Sequence, residues 1–155
     1  AYEHPLVRVV ATDLSSEAVS LAGENIVSLG LEDRVRVVEC DLGEGIDVEL
    51  LGSFDLIISN PPYVPTAVLD SIPREVADFE PALALDGGTD GLDIFRRLLS
   101  FCSRALKPGG ALAFELHETC LDEAVRLAVA AGFVDAHAVD DLAGRPRVLV
   151  ARRAC

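Results

Sequence analysis

The feature that most limits what this chain can fold into is an alternation. Short apolar, β-branched runs are each followed by a segment whose apolar residues recur every three or four positions. VRVVATDL (7–14) reads as a strand; Ser15 then offers a helix N-cap with Glu17 in the first turn. Ala18, Leu21, Ala22, Ile26 and Leu29 follow at helical spacing until Gly30 ends the pattern. VRVVECD (35–41) and FDLIIS (54–59) are the next strands, the latter apolar enough to read as buried. After a loop over 60–89, Leu92, Phe95, Leu99, Cys102 and Leu106 share one helical face that KPGG (107–110) stops, and ALAFELH (111–117) is a further buried strand. Thr119 is placed to cap a helix carrying Leu121, Ala124, Val125 and Ala128, closed by Gly132. FVDAHAVDDL (133–142) and RVLVARR (147–153), with AGRP between them, predict a terminal antiparallel hairpin.

Strands alternating with helices imply an α/β fold with a parallel sheet and helices on both faces, and such sheets bind ligands beyond the carboxyl ends of their strands. The 155 residues, half of them hydrophobic, suit one domain with a real core. No run of about 18 apolar residues is present to span a membrane, and AYEHPLVRVV lacks the basic start of a secretory leader. A cytoplasmic protein is expected.

Formal net charge is −13, and 12 of the 13 basic residues are Arg. That field repels a phosphate backbone, which disfavours a stand-alone nucleic-acid binder. Cys40, Cys102, Cys120 and Cys155 are widely spaced; only His117 and Cys120 approach ligand spacing, and two ligands do not make a zinc site. Four reduced, mostly buried thiols and no metal are expected.

Three strand ends carry polar groups: Asp13, Asp41 and Asn60. A carboxylate at the first position can accept both hydroxyls of a ribose or help cap the following helix, and one at Asp41 can accept from an exocyclic amine or be an ordinary loop acid. The third strand end is more specific. It runs into SNPPYVP (59–65), where a residue before proline is pushed into extended geometry and each proline fixes its own φ. Asn60, Pro61 and Pro62 therefore hold one shape, presenting the Asn60 side-chain oxygen and the Pro61 carbonyl beside an aromatic wall, Tyr63. Two acceptors and a flat ring suit a planar NH2 group. Its delocalised lone pair makes it a poor nucleophile, and accepting from both N–H bonds can turn that lone pair toward an electrophile.

With NPPY at 60–63, REVADFEPALALDGGTDGLDIFRRLL (74–99) and DLAGRPRVLVARR (141–153), the chain resembles the class I methyltransferases that use S-adenosylmethionine. Within them it resembles the HemK/PrmC glutamine methyltransferases of release factors. NPPY is shared with adenine and guanine amino-methyltransferases; the 74–99 stretch is the narrower signature. The resemblance implies that Asp13 binds the cofactor ribose, that Asp41 lies near the adenine, and that Asn60 and Pro61 hold the substrate glutamine amide, with Asn60 also close to the cofactor. Pro62 belongs to the same rigid catalytic motif, and Tyr63 shapes the methyl-transfer pocket. Glu80 and Pro81 fall in the neighbouring loop, Gly87, Gly88 and Gly91 act as turn and helix-entry residues, and Arg145 and Arg147 serve the fold or surface.

Family members carry a first strand, a glycine-rich GxGxG loop and a helical N-terminal domain, none of which precedes Asp13 here. Residues 1–155 are accordingly expected to be the C-terminal portion of a single methyltransferase catalytic domain, a Rossmann-like sheet with a C-terminal antiparallel hairpin. The missing central strand would fall between 7–14 and 54–59. The implied activity is methylation of the glutamine side-chain nitrogen in the GGQ motif of peptide chain release factors, with S-adenosylmethionine as cofactor and a protein partner rather than a nucleic acid or membrane. The 155 residues alone are expected to bind cofactor poorly. The competing readings are a nucleic-acid amino-methyltransferase, which NPPY permits and the net charge opposes, and a non-catalytic remnant.

Overall fold

The computed structural model describes residues 1–71 and 81–155. They form two compact units, Ala1–Glu49 and Leu50–Cys155.

In the first unit, strands β1 (Val9–Asp13) and β2 (Val35–Glu39) pair in parallel, Val9 opposite Val35 and Asp13 opposite Glu39. Helix α1 (Ser16–Ser28) makes the crossover between them, as the apolar periodicity predicts. The Ser15 hydroxyl accepts from the Ala18 N–H at 3.2 Å, and the helix ends at Gly30 in a left-handed conformation, φ +62°. Ala18, Ala22 and Ile26 are half-buried as expected, whereas Leu21 and Leu29 are exposed. The half-buried stripe runs through Val19 and Gly23 instead, rotating those two leucines off it.

The second unit is a four-stranded mixed sheet in the order β3-β4-β6-β5, built from β3 (Phe54–Ser59), β4 (Leu106–Glu115), β5 (Phe133–Asp140) and β6 (Pro146–Arg153). β3 and β4 are parallel, and β6 runs antiparallel to both β4 and β5. The terminal hairpin is present where the sequence predicts it. Helices α2 (Ala82–Leu85), α3 (Asp93–Ala105) and α4 (Leu121–Ala130) complete the unit.

The core lies on one face of this sheet. Leu112, Phe114 and Leu116 of β4 and its extension, with Leu149 and Ala151 of β6, are fully buried. They meet Phe95, Leu98, Leu99 and Cys102 of α3 and Leu121, Ala124 and Ala128 of α4. Phe95 and Phe114 stack edge to face at 6.0 Å, a favoured aromatic geometry. Burial pushes the Cys102 thiol up to about 12, so it behaves as a small hydrophobe. Cys120 is also buried, Cys40 is half-buried and Cys155 exposed, all four as free thiols.

Three expectations need correcting. FDLIIS is a strand with the predicted limits but not a buried one. Leu56 pairs with Ala111 and Ile58 with Ala113, which puts them on the sheet face away from Phe114, and they are 54% and 72% exposed. Among the described residues β3 has β4 as its one neighbour in the sheet. KPGG does not simply separate helix from strand: α3 stops at Ala105, and Leu106 already pairs with Phe54. An irregularity in register follows before Leu56 meets Ala111, with Gly109 at φ +77° supplying the left-handed residue. Thr119 does not cap α4. A 3-10 turn, Glu118–Cys120, precedes the helix, and the His117 side chain caps it by accepting from the Thr119 N–H.

Candidate functional site

Each unit places polar groups at the carboxyl ends of its parallel strands. In the first, Asp13 is the last residue of β1 and exposed, and its Oδ1 accepts from the Ser15 N–H at 2.8 Å. That bond is the helix-entry role weighed in the sequence, and it occupies one of the two carboxylate oxygens. The Asp13 carbonyl accepts from the Cys40 N–H at 2.9 Å, which ties the end of β1 to the end of β2. Asp41, two residues past β2, is half-buried, and its carbonyl accepts from the Glu44 N–H at 3.0 Å. Leu42 follows at φ +53°. Both carboxylates thus stand at one edge of one two-stranded sheet. This is an acceptor set that fits ribose hydroxyls and the amine of an amino-purine edge.

In the second unit, Asn60 is the first residue beyond β3 and is exposed; among the described residues its side chain makes no hydrogen bond. Pro61 is buried, and Pro62 and Tyr63 are half-buried. The motif is therefore anchored at its second residue while the amide of its first stays open.

What holds NPPY was only partly visible in the sequence. The segment after it lies against DGGTDGLD (86–93) by backbone pairing. The Val64 N–H donates to the Leu85 carbonyl at 2.9 Å, the Gly87 N–H to the Val64 carbonyl at 2.8 Å, and the Thr66 N–H to the Gly88 carbonyl at 2.9 Å. Asp86 reinforces this, accepting from the Thr66 hydroxyl at 2.7 Å and the Gly88 N–H at 2.9 Å; these bonds hold its carboxyl below the usual range. Gly87 and Gly91 are buried against the Tyr63 backbone. A Cβ on Gly87 would lie 2.7 Å from the Tyr63 Cα, and one on Gly91 would strike the Tyr63 carbonyl oxygen. Gly88 and Gly91 have φ of +86° and +77°, which makes them turn residues as well.

The far end of the glycine loop is locked by charge. Arg96 of α3 donates to both oxygens of Asp90 and, at 3.0 Å, to Asp93. The guanidinium lowers the Asp90 carboxyl to about 2. A second aromatic group completes the surroundings: the His117 ring, just past β4, lies 6.3 Å from the Tyr63 ring at a 43° tilt. Spacing alone did not single out His117 for this position; its signal was its place at the next parallel strand end.

Pro81 precedes α2 as its N-cap, and its carbonyl accepts from the Ala84 N–H. Glu80 lies outside the described residues. Arg145 pairs with Asp141 across the β5–β6 turn at 3.5 Å, a surface contact. Among the described residues no group of His, Cys, Asp or Glu is arranged to hold a metal ion, and no helix is long and apolar enough to cross a membrane.

Residues 1–75 match the family described as "Methyltransferase small domain". The chain is 40% identical over 148 residues to a release factor glutamine methyltransferase from Caulobacter vibrioides, covering 96% of this chain and 50% of that protein. It is also 40% identical over 116 residues to a ribosomal protein uL3 glutamine methyltransferase from Neisseria meningitidis, covering 75% of this chain and 37% of that one. The chain spans about half the length of the curated relatives it matches. In structure it is similar to a methyltransferase from Pyrococcus furiosus, with a TM-score of 0.67 at 20% identity, covering 96% of this chain and 64% of that one. The fold is that of the class I, Rossmann-like methyltransferases.

Proposed function

From a chain related over nearly its whole length to one half of the release factor glutamine methyltransferases, we propose that the protein methylates a glutamine side-chain nitrogen of a peptide chain release factor. The observation that carries this reading is the state of Asn60. It is exposed and, among the described residues, unengaged, yet it sits between the end of β3 and buried Pro61. An open amide on a rigid mount is suited to receive a planar substrate.

In this reading the Asn60 Oδ1 and the Pro61 carbonyl accept one N–H each from the glutamine carboxamide. Accepting from both N–H bonds can rotate the nitrogen lone pair toward an electrophile and hold it in one direction. Proline has no N–H to compete, and Pro62, which follows Pro61, restricts the ψ that sets the direction of the Pro61 carbonyl. Tyr63 limits the pocket to a flat group. When bound, S-adenosylmethionine would supply the electrophilic methyl group and leave as S-adenosylhomocysteine. Asp13 would accept from the ribose hydroxyls, and Asp41 would assist at the adenine. No general base is required before attack, because the alkylated nitrogen sheds its proton to solvent. Residues 1–155 then form part of one catalytic domain and carry the groups that would meet the ribose and adenine.

A second protein substrate has a specific observation behind it. The uL3 relative is as identical to this chain as the release factor relative, though over fewer residues. A nucleic-acid base is the weaker third reading, because the net charge is −13.

The test is methyl transfer by the full-length protein with purified release factor, uL3 and RNA offered separately, compared with its Asn60→Ala variant. Release factor is expected to be methylated on glutamine. Asn60→Ala is expected to lose kcat by roughly a hundredfold while cofactor affinity changes little, since an orienting acceptor is removed. Methylation of RNA alone, or an equal loss of cofactor binding in the variant, would overturn the assignment.

A further inference from the structure

We propose that His117 is a positioning residue for Tyr63, so that one imidazole both caps the turn after β4 and fixes the aromatic wall of the NPPY motif. The second job is not legible without the other strand end, because 54 positions separate the two residues.

The geometry is specific. Ser59 of β3 pairs with Phe114 of β4 in a parallel register, so the chain leaves both strands at the same edge of the sheet. Asn60–Tyr63 emerges from one strand and Leu116–His117 from the other. Leu116 is fully buried, and its N–H donates to the Arg147 carbonyl at 2.9 Å, which fixes the backbone immediately before His117. The ring is then locked from its Nδ1 side, which lies 2.8 Å from the Thr119 hydroxyl and accepts from the Thr119 N–H at 3.4 Å. The other face of this arrangement meets Tyr63, whose centroid distance of 6.3 Å lies within the range of favourable aromatic pairs.

Tyr63 needs such a support. Its backbone is gripped by Gly87 and Gly91, but those contacts stop at the Cα and carbonyl and leave the ring half-buried. Among the described residues the His117 ring is the one aromatic group paired with Tyr63, at a 43° tilt. An exposed histidine held by two bonds at one nitrogen loses little entropy on meeting Tyr63, because its own ring is already ordered.

The two jobs separate by substitution. His117→Asn keeps a side-chain acceptor for the Thr119 N–H and deletes the ring; His117→Phe keeps a flat ring and deletes the acceptor. The chain has two tyrosines and no tryptophan, so a Tyr2→Phe background makes Tyr63 the sole tyrosine emitter. Tyrosine fluorescence anisotropy then reports the freedom of that ring. A fall in anisotropy is expected for His117→Asn with its thermal midpoint nearly unchanged, and the reverse is expected for His117→Phe: anisotropy held, midpoint lowered. His117→Ser, which caps well from a shorter side chain, is read like the Asn variant and replaces it should that variant not fold. Anisotropy unchanged in the ring-less variants, or lowered equally in His117→Phe, would overturn the proposal.

The catalytic consequence rests on the reading of NPPY as the methyl-transfer site. In the full-length protein His117→Asn is expected to lower kcat about tenfold with the cofactor KM unmoved, the mark of a misplaced wall rather than a lost contact. An unchanged kcat refutes the positioning role. Absence of methyl transfer in the unsubstituted protein refutes the functional reading instead, and the fluorescence comparison still decides whether His117 orders Tyr63.

Discussion

Gly87→Ala isolates the steric part of the grip on Tyr63. The added Cβ would sit 2.7 Å from the Tyr63 Cα, 2.8 Å from the Gly91 carbonyl oxygen and 2.9 Å from the Gly91 Cα, all backbone atoms. No flexible side chain can swing aside. Bringing the worst contact to an ordinary separation of about 3.4 Å moves two backbone segments apart by roughly 0.7 Å in a buried position, and overpacking of this kind costs about 1–3 kcal/mol. For a chain of this size that lowers the thermal midpoint of the second unit by roughly 3–10 °C. Gly144→Ala is the counter-example. That glycine has φ +74° with nothing within 4 Å of its would-be Cβ, so it pays only the left-handed penalty of about 1–2 kcal/mol. Gly91→Ala combines both and is expected to be the worst of the three. Calorimetric unfolding of the three variants checks the order. Gly87→Ala melting with the unsubstituted protein, or Gly91→Ala melting no lower than Gly144→Ala, would show that the loop yields freely and does not hold Tyr63.

Asp13→Ala in the full-length protein is expected to weaken cofactor binding on the order of tenfold or more, because a carboxylate bonded to hydroxyls makes charge-assisted bonds, and Asp41→Ala to cost less. Titration calorimetry ranking Asp41 first would reverse those roles. Asp90, held to about 2 by Arg96 against an ordinary 3.8, binds its proton less readily when folded than when unfolded. Its contribution is therefore present above pH 4 and is lost as pH falls from about 4 to about 2. Asp90→Asn should flatten the acid limb of the stability curve in that window; an unaltered limb would assign the acid sensitivity elsewhere.

How much was readable beforehand follows from the range of the interaction involved. The limits of β3 fell where FDLIIS begins and ends, because a β-branched run closed by Asn-Pro-Pro is a local signal. Its burial did not follow. The exposure of Leu56 and Ile58 depends on what lies over a sheet face, and that is a tertiary property no window of six residues contains. The same divide runs through the candidate site. Rigidity at Asn60–Pro62 is written in the prolines themselves. The packing of Gly87 and Gly91 on Tyr63, and of His117 across from it, joins residues 24 or more positions apart. Local pattern also misplaced the cap after β4: Thr119 has the chemistry of an N-cap, but the chain takes a 3-10 turn before the helix, so Thr119 lies inside that turn with its own N–H capped by His117, and Cys120 stands at the helix N-cap without a side-chain bond.

The uneven burial of the two units has a thermodynamic consequence for any ligand of Asp13 and Asp41. Of the buried hydrophobic residues among those described, only Leu31 belongs to the first unit, and α1 buries none. A segment with so little apolar area removed from water opens at low free energy, so its amides should exchange with solvent well before those of β4 and β6. Ordering that segment and binding there become one equilibrium. A unit ordered one tenth of the time binds about tenfold more weakly than its contacts warrant, and a substitution that packs α1 better against β1 and β2 would tighten the ligand without touching it.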